Sequence, residues 1–321
     1  MAPAREDTKT MSDSLAYRSA FGNWEQRASV RTGPRRTIDS NEKVIYFPPE
    51  LVPISSHPLV TAREDGTEIR LLTRRLYQYL HFTSELEALA VMPVAQLISR
   101  GVAGIDLPGN MREDAFKIVT DEAWHAQFSY DLLRQVESQS GLAAGEIGDP
   151  SFLTRLKKIG GRMDPSLRGL QDLLFCVVSE TLISAILTNL PQDDRLPDGV
   201  RELVQDHALD EGKHHAYFRD FLKYFWHALS TSERRAIGPF VPELVYAFLE
   251  PDYAMFEQGL LAEGFTPEEA RQIVTESYPR ATVRADVAQA GRPVTRYLTE
   301  LGAMDDSRTH AAFTEHKLLI G

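Results

Sequence analysis

Two short stretches, Asp121-Glu122-Ala-Trp-His125 and His207-Ala-Leu-Asp210-Glu211-Gly-Lys-His214, decide how this chain folds. Each holds a carboxylate and an imidazole three residues apart. On a helix that spacing puts both side chains on one face, one turn apart. A Glu-x-x-His pair on each of two helices, with one Glu from each of two further helices, is the ligand set of a di-iron or di-manganese carboxylate bundle. The reading therefore requires two more glutamates.

Both have candidates upstream. Before the first pair lies Thr83-Ser-Glu85-Leu-Glu87-Ala-Leu-Ala-Val-Met-Pro93, and before the second Val178-Ser-Glu180-Thr-Leu. Glu180 is the only charged residue between Asp172 and Asp193 in an apolar stretch. A buried carboxylate is costly unless paired, protonated or bound to metal. Glu87 precedes Glu122 by 35 residues, and Glu180 precedes Glu211 by 31. At about 1.5 Å rise per residue, either interval suits two antiparallel helices with the carboxylates at similar depth. The chain thus reads as two helical hairpins, each carrying a lone Glu and then Glu-x-x-His. His207 lies on the same face as Glu211 and His214, whereas His215 points about 100° away and is read as outside the site. Metal-bound His usually donates its second ring N–H to a carboxylate or carbonyl. On facing antiparallel helices, Asp121 is placed to serve His214, and Asp210 to serve His125.

The 321 residues are 43% hydrophobic and 25% charged, enough for one large helical domain with a sizeable core. A net charge of −11 suits neither nucleic acid nor an anionic membrane surface. The single cysteine, Cys176, excludes an internal disulfide and a four-cysteine iron or zinc site, and fits a reducing cytoplasmic setting. No stretch reads as a secretory signal or a membrane span.

Residues 1–40 read as a polar tail, 41–305 as a single helical-bundle domain, and 306–321 as a C-terminal tail. Residues 44–59 hold four prolines and read as an extended segment across the bundle. Long helices are expected at about 66–100, 110–140, 166–190 and 197–229. Shorter ones follow, including one starting at Thr266-Pro267-Glu-Glu, an N-cap with proline at the first helical position. The fold class is all-α: a ferritin-like four-helix bundle core with additional C-terminal helices.

The segments Thr83–Pro93, Thr120–His125, Ser179–Leu187 and His207–His214 resemble the non-haem di-iron N-oxygenases of the p-aminobenzoate N-oxygenase and chloramphenicol arylamine oxygenase type. The likeness covers roughly residues 45–305. It implies that Glu87, Glu122, His125, Glu180, His207, Glu211 and His214 bind two iron ions. Glu87 is preferred to Glu85 because the family's first ligand lies six residues before a proline, here Pro93. The histidine at 207 is the family's mark among carboxylate-bridged di-iron proteins. The resemblance further implies oxidation of a small-molecule amine by O2, to hydroxylamine, nitroso or nitro, in antibiotic or other secondary-metabolite biosynthesis. It implies no catalytic side chain beyond the ligands, an external electron donor (a redox partner or chemical reductant) and a homodimer. In the p-aminobenzoate enzyme an arginine in the C-terminal part holds the substrate carboxylate, which makes Arg284 the candidate here. The alternative is a di-iron hydroxylase or oxidative-cleavage enzyme acting on carbon.

Overall fold

The computed structural model of the chain describes residues 16–39, 45–63, 65–183, 187 and 190–319. Four helical stretches carry the Glu and His residues. The first is α1 (Thr67–Leu86), which runs through a π-helical turn, Glu87–Val91, into α2 (Met92–Ser99). Then come α3 (Gly109–Ser140), α4 (Ser151–Gly160), α5 (Arg168–Leu182) and α6 (Asp198–Ala228). Helix α3 packs on α1 and α2, α6 on α5, and α3 on α6. The third long helix was expected to reach residue 190. Its regular part ends at Leu182, and residues 184–186 and 188–189 lie outside the described residues.

Apolar spacing explains the packing. Leu72, Leu76 and Leu80 recur every four residues on α1 and are buried. On α6 the buried stripe runs Val200, Leu203, Val204, His207, Glu211, His214, Phe218, Phe221 and Phe225. Each buried Phe there is worth about 1.5–3 kcal/mol over an exposed one. Prolines 108 and 197 stand at the N-caps of α3 and α6, and Gly141, with φ of 68°, ends α3 in the left-handed region where glycine has no Cβ penalty.

The π-turn sits at Glu87. Pro93 has no N–H, so a regular α-helix would leave the Leu89 carbonyl without its donor and in collision with the ring. The wider turn relieves this, and the Met92 N–H bonds back to the Glu87 carbonyl. Such turns recur at functional positions.

Beyond α6, seven shorter helices wrap the bundle: α7 (Thr231–Ile237), α8 (Val241–Leu249), α9 (Tyr253–Ala262), α10 (Pro267–Ser277), α11 (Arg280–Ala290), α12 (Arg292–Glu300) and α13 (Ser307–Glu315). Ser230 with Glu233 and Thr266 with Glu269 form reciprocal capping boxes. Helix α8 packs on α4 and α5, and α12 on α5.

Three segments differ from the sequence-based expectation. Residues 306–321 were expected as a tail, yet α13 is capped by Asp306 and buries Thr309 and Phe313, one turn apart. Residues 49–61 form three one-turn helices rather than an extended run, because Pro49, Pro53 and Pro58 each occupy a first helical position, where the missing N–H costs nothing. Finally, part of the expected N-terminal tail is a strap. Residues 16–39 lie along α3 and α6, burying Phe21, Trp24, Ala28 and Ile38. Arg35 pairs with Asp131, and Arg36 with Asp206 and Glu202. The strap backbone at Thr37 comes so close to Gly199 that a Cβ there would collide with the Thr37 carbonyl. Residues 1–15 and 40 of that expected tail lie outside the described residues. No helix among the described residues is long and apolar enough to cross a membrane.

Candidate metal centre

Each bundle stretch turns one or more acidic or imidazole side chains inward, where they meet. Glu87 comes from the π-turn, Glu122 and His125 from α3, Glu180 from α5, and His207, Glu211 and His214 from α6. All seven are at most 1% exposed. Their donor atoms form three overlapping groups: Glu87, His125, His207 and Glu211; Glu122, His125, Glu211 and His214; and Glu87, Glu122 and Glu180. Within each group the atoms lie within 4.8 Å of one another.

The distances give the cluster two ends. His207 Nε2 is 3.2 Å from Glu211 and 3.8 Å from Glu87. His214 Nδ1 is 2.8 Å from Glu122, 3.3 Å from Glu211 and 3.6 Å from Glu180. His125 Nδ1 is 2.8 Å from Glu122 and 3.4 Å from Glu211. Glu122 and Glu211 thus sit in the middle, Glu87 at the His207 end and Glu180 at the His214 end. Glu85, two residues from Glu87, is only partly buried and stands outside these groups.

Most of these atoms have no hydrogen-bond partner. Both oxygens of Glu87, Glu180 and Glu211, one oxygen of Glu122, His207 Nε2 and His214 Nδ1 are buried and unbonded. A buried polar atom left so costs about 1–3 kcal/mol, and more when charged. Polar atoms converging at these distances with so few hydrogen-bond partners suit a cation. Four carboxylates balance two divalent ions, and oxygen with imidazole nitrogen is a donor set that suits iron or manganese. The cluster can hold metal.

Without a cation the carboxyl groups compete. Burial, then the charges of Glu122, Glu180 and Glu211, push Glu87 well above the usual carboxyl range. Burial, then Glu211 and Glu122, do the same to Glu180. Burial also acts on Glu122 and Glu211, but His214 and His125 outweigh it and hold both low. Burial and the neighbouring His125 lower His207. The two central carboxylates are thus the ones favoured as anions.

The outer ring nitrogens are held separately. His214 Nε2 is 3.2 Å from Asp121, and His125 Nε2 is 3.5 Å from Asp210, each on the facing helix. The strap holds both aspartates in turn. Trp24 Nε1 donates to the two Asp121 oxygens at 2.8 and 2.9 Å, and the Ser29 N–H donates to Asp210 at 3.0 Å. Lys213 adds a contact to Asp210 at 2.9 Å. Phe21 stacks on His214, while Phe128 packs against His125 and His207. Nothing in the sequence pattern marks Trp24 or Ser29, since these contacts span 97 and 181 residues.

Other candidates lie elsewhere. His215 Nε2 meets the Tyr297 hydroxyl at 2.9 Å, and His81 meets the Gly148 carbonyl at 3.2 Å. Cys176 is buried one turn before Glu180, with its thiol pushed up by burial and then by Glu180. Arg284 is exposed on α11, where it borders a cavity of about 530 Å³ with Arg280 and Tyr246. It does not join the cluster. Tyr79, missed in the sequence, does approach it: its hydroxyl is buried, has no partner, and lies within electrostatic reach of Glu211 and Glu87.

Residues 10–302 match the family described as p-aminobenzoate N-oxygenase AurF. Among curated proteins, the chain is similar to a 4-aminobenzoate N-oxygenase of Streptomyces thioluteus, with 26% identity over 254 residues, 73% of this chain and 74% of that protein.

Proposed function

This chain belongs to the p-aminobenzoate N-oxygenase family, and on that premise we propose that it holds two iron ions on Glu87, Glu122, His125, Glu180, His207, Glu211 and His214 and uses O2 to oxidise the nitrogen of a small-molecule amine. The observation that carries this is the buried set of four carboxylates and three imidazoles whose inward atoms have so few partners among themselves. Bound as Fe(II), the ions would supply the electrons for O2 reduction and the oxidising power delivered to nitrogen.

The protein's own part is orientation and exclusion. Asp121 and Asp210 would each take a ring N–H on Nε2, which fixes the tautomer and turns the Nδ1 lone pairs of His214 and His125 inward. The strap closes the α3–α6 side against water with Phe21 and Trp24. His207 adds a neutral donor at the Glu87 end, so the two metal positions are unequal. The product series runs from hydroxylamine through nitroso to nitro, in the biosynthesis of a natural product. An external electron donor, a homodimer and a cytoplasmic setting belong to the same reading.

Anaerobic reconstitution with Fe(II), elemental analysis, then O2, reductant and a panel of aryl and alkyl amines tests it. Two irons per chain and oxygen gained on nitrogen are expected. Iron near zero, one tightly held zinc, or oxygen found only on carbon would overturn it.

A further inference from the structure

The strap is basic in an acidic chain. Residues 16–39 hold five arginines, Arg18, Arg27, Arg31, Arg35 and Arg36, against two acids, Glu25 and Asp39, while the whole chain carries −11. Arg18, Arg27, Arg31 and Arg35 are exposed. The Arg18 and Arg27 guanidinium groups have no ion-pair partner among the described residues. Arg31 pairs with the exposed Glu25 at 2.7 Å, and its guanidinium lies 5.4 Å from the Trp24 ring centre. From Trp24 an unbroken hydrogen-bonded line runs inward. Its Nε1 donates to both Asp121 oxygens at 2.8 and 2.9 Å, and Asp121 meets His214 Nε2 at 3.2 Å. His214 Nδ1 faces Glu122, Glu211 and Glu180. Trp24 is 7% exposed, so the line begins one side chain below solvent.

Holding Asp121 in place needs only a small donor. An indole adds a wide π-system that reaches from beneath Arg31 to the carboxylate, and electrons tunnel more readily through π-systems and hydrogen bonds than across gaps. The strap gives the other end of the cluster a comparable line, since the Ser29 N–H donates to Asp210 at 3.0 Å and Asp210 lies 3.5 Å from His125 Nε2. With Cys176 as its single cysteine, the chain has no four-cysteine iron–sulfur centre of its own. Electron-transfer complexes are small and weak, and opposite charge steers and orients them. An acidic partner is attracted by the strap and repelled by the rest of a surface with this net charge, which confines it to one face. The same net charge disfavours nucleic acid as the occupant.

We propose that the outer face of the strap docks an acidic iron–sulfur protein of the ferredoxin class, and that its electrons reach the metal cluster through Trp24, Asp121 and His214. Each docking passes one electron: the donor's reduced iron–sulfur centre is oxidised, and one ferric ion of the cluster becomes ferrous. No bond forms or breaks, and two dockings reduce both ions. Trp24 is itself neither oxidised nor reduced. It is a positioning residue whose ring and hydrogen bonds carry the coupling from the docked donor to His214. The destination of the electron rests on the di-iron reading; the docking face does not.

Calorimetry and stopped-flow absorbance test it, with a plant-type two-iron ferredoxin as the probe. The metal-free and the iron-loaded protein should both bind oxidised ferredoxin at low ionic strength, and molar salt should abolish the binding. The double variant Arg18→Glu with Arg27→Glu should weaken it about tenfold or more, with circular dichroism and iron content at wild-type values. Under anaerobic conditions reduced ferredoxin should bleach the diferric absorbance. The double variant should slow this about tenfold at low donor concentration, yet leave reduction by the neutral radical of photoreduced deazariboflavin unchanged. Trp24→Phe, read per cluster retained, should lower the limiting rate at saturating ferredoxin and leave its affinity as it was. A purely structural Trp24 would leave that rate at the wild-type value. No binding at low salt, binding indifferent to the arginine reversals, a limiting rate unmoved by Trp24→Phe, or a single-stranded oligonucleotide bound as tightly as ferredoxin would overturn the proposal. Iron near zero with arginine-dependent ferredoxin binding intact would instead remove the di-iron reading and leave the docking face standing.

Discussion

Replacing Glu180 by Gln should raise the stability of the metal-free protein and lower that of the iron-loaded protein. Glu180 is wholly buried on an apolar helix, and burial together with Glu211 and Glu122 holds its pKa well above the ordinary 4.5. A carboxyl whose pKa is higher in the folded state than in the unfolded one costs the metal-free fold about 1.36 kcal/mol for each unit of that rise once the pH exceeds it. Gln keeps the shape without that cost. With an unfolding entropy of about 2.1 cal/mol/K per residue over this chain, each such unit corresponds to roughly 2 °C in Tm. The sign with pH follows from the direction of the shift. A raised carboxyl contributes its full stability below its unfolded pKa and loses it as pH rises, so the gap between the two metal-free proteins should close as pH falls towards 4.5. Iron reverses the order, because the variant loses a ligand and with it much of the stabilisation that binding gives the folded state. Scanning calorimetry of both proteins, metal-free and after anaerobic Fe(II) loading, at pH 5 and 7 decides the matter. A metal-free Glu180→Gln that melts at or below the wild type would refute the argument, since the carboxyl would then be satisfied by something other than a metal.

Three further outcomes are expected. Trp24→Phe removes the donor to both Asp121 oxygens and should weaken iron retention about 10–100-fold in a chelator competition, with the helical circular dichroism unchanged. His207→Ala should keep its helicity, since Ala has the highest helix propensity, while elemental analysis shows iron falling from two towards one per chain. Glu85→Ala should hold two irons and Glu87→Ala should not; the opposite pattern would move the first ligand by two residues.

Six of the seven clustered side chains could be named from sequence because helical geometry converts spacing directly into position; the choice of Glu87 over Glu85 came from the resemblance, through its spacing to Pro93. Glu122 with His125, and His207 with Glu211 and His214, need only one turn of regular helix to share a face. Glu180 stood out because no other charge falls between Asp172 and Asp193. Where the phase of a helix decides the outcome, the sequence was mute. Arg74 and Arg75 are neighbours and read alike, yet one meets Glu263 and the other an aromatic cavity. The strap was hidden for a different reason: Trp24 and Ser29 act through single contacts to residues far along the chain, which leave no local period. The last helix reads as a tail in the sequence because its buried stripe spans barely one turn, Thr309 to Phe313.

The strap also imposes an order of events on the making of this protein. Its two decisive contacts join Trp24 to Asp121 and Ser29 to Asp210, 97 and 181 residues apart. A chain emerging from the ribosome has its strap first and the surfaces that receive it later. Until α6 is made, Ser29 has nothing to bind and the α3–α6 side of the bundle stands open. Once α6 is made, the completed cluster can be reached from the α3–α6 side until the first-made segment docks and closes it.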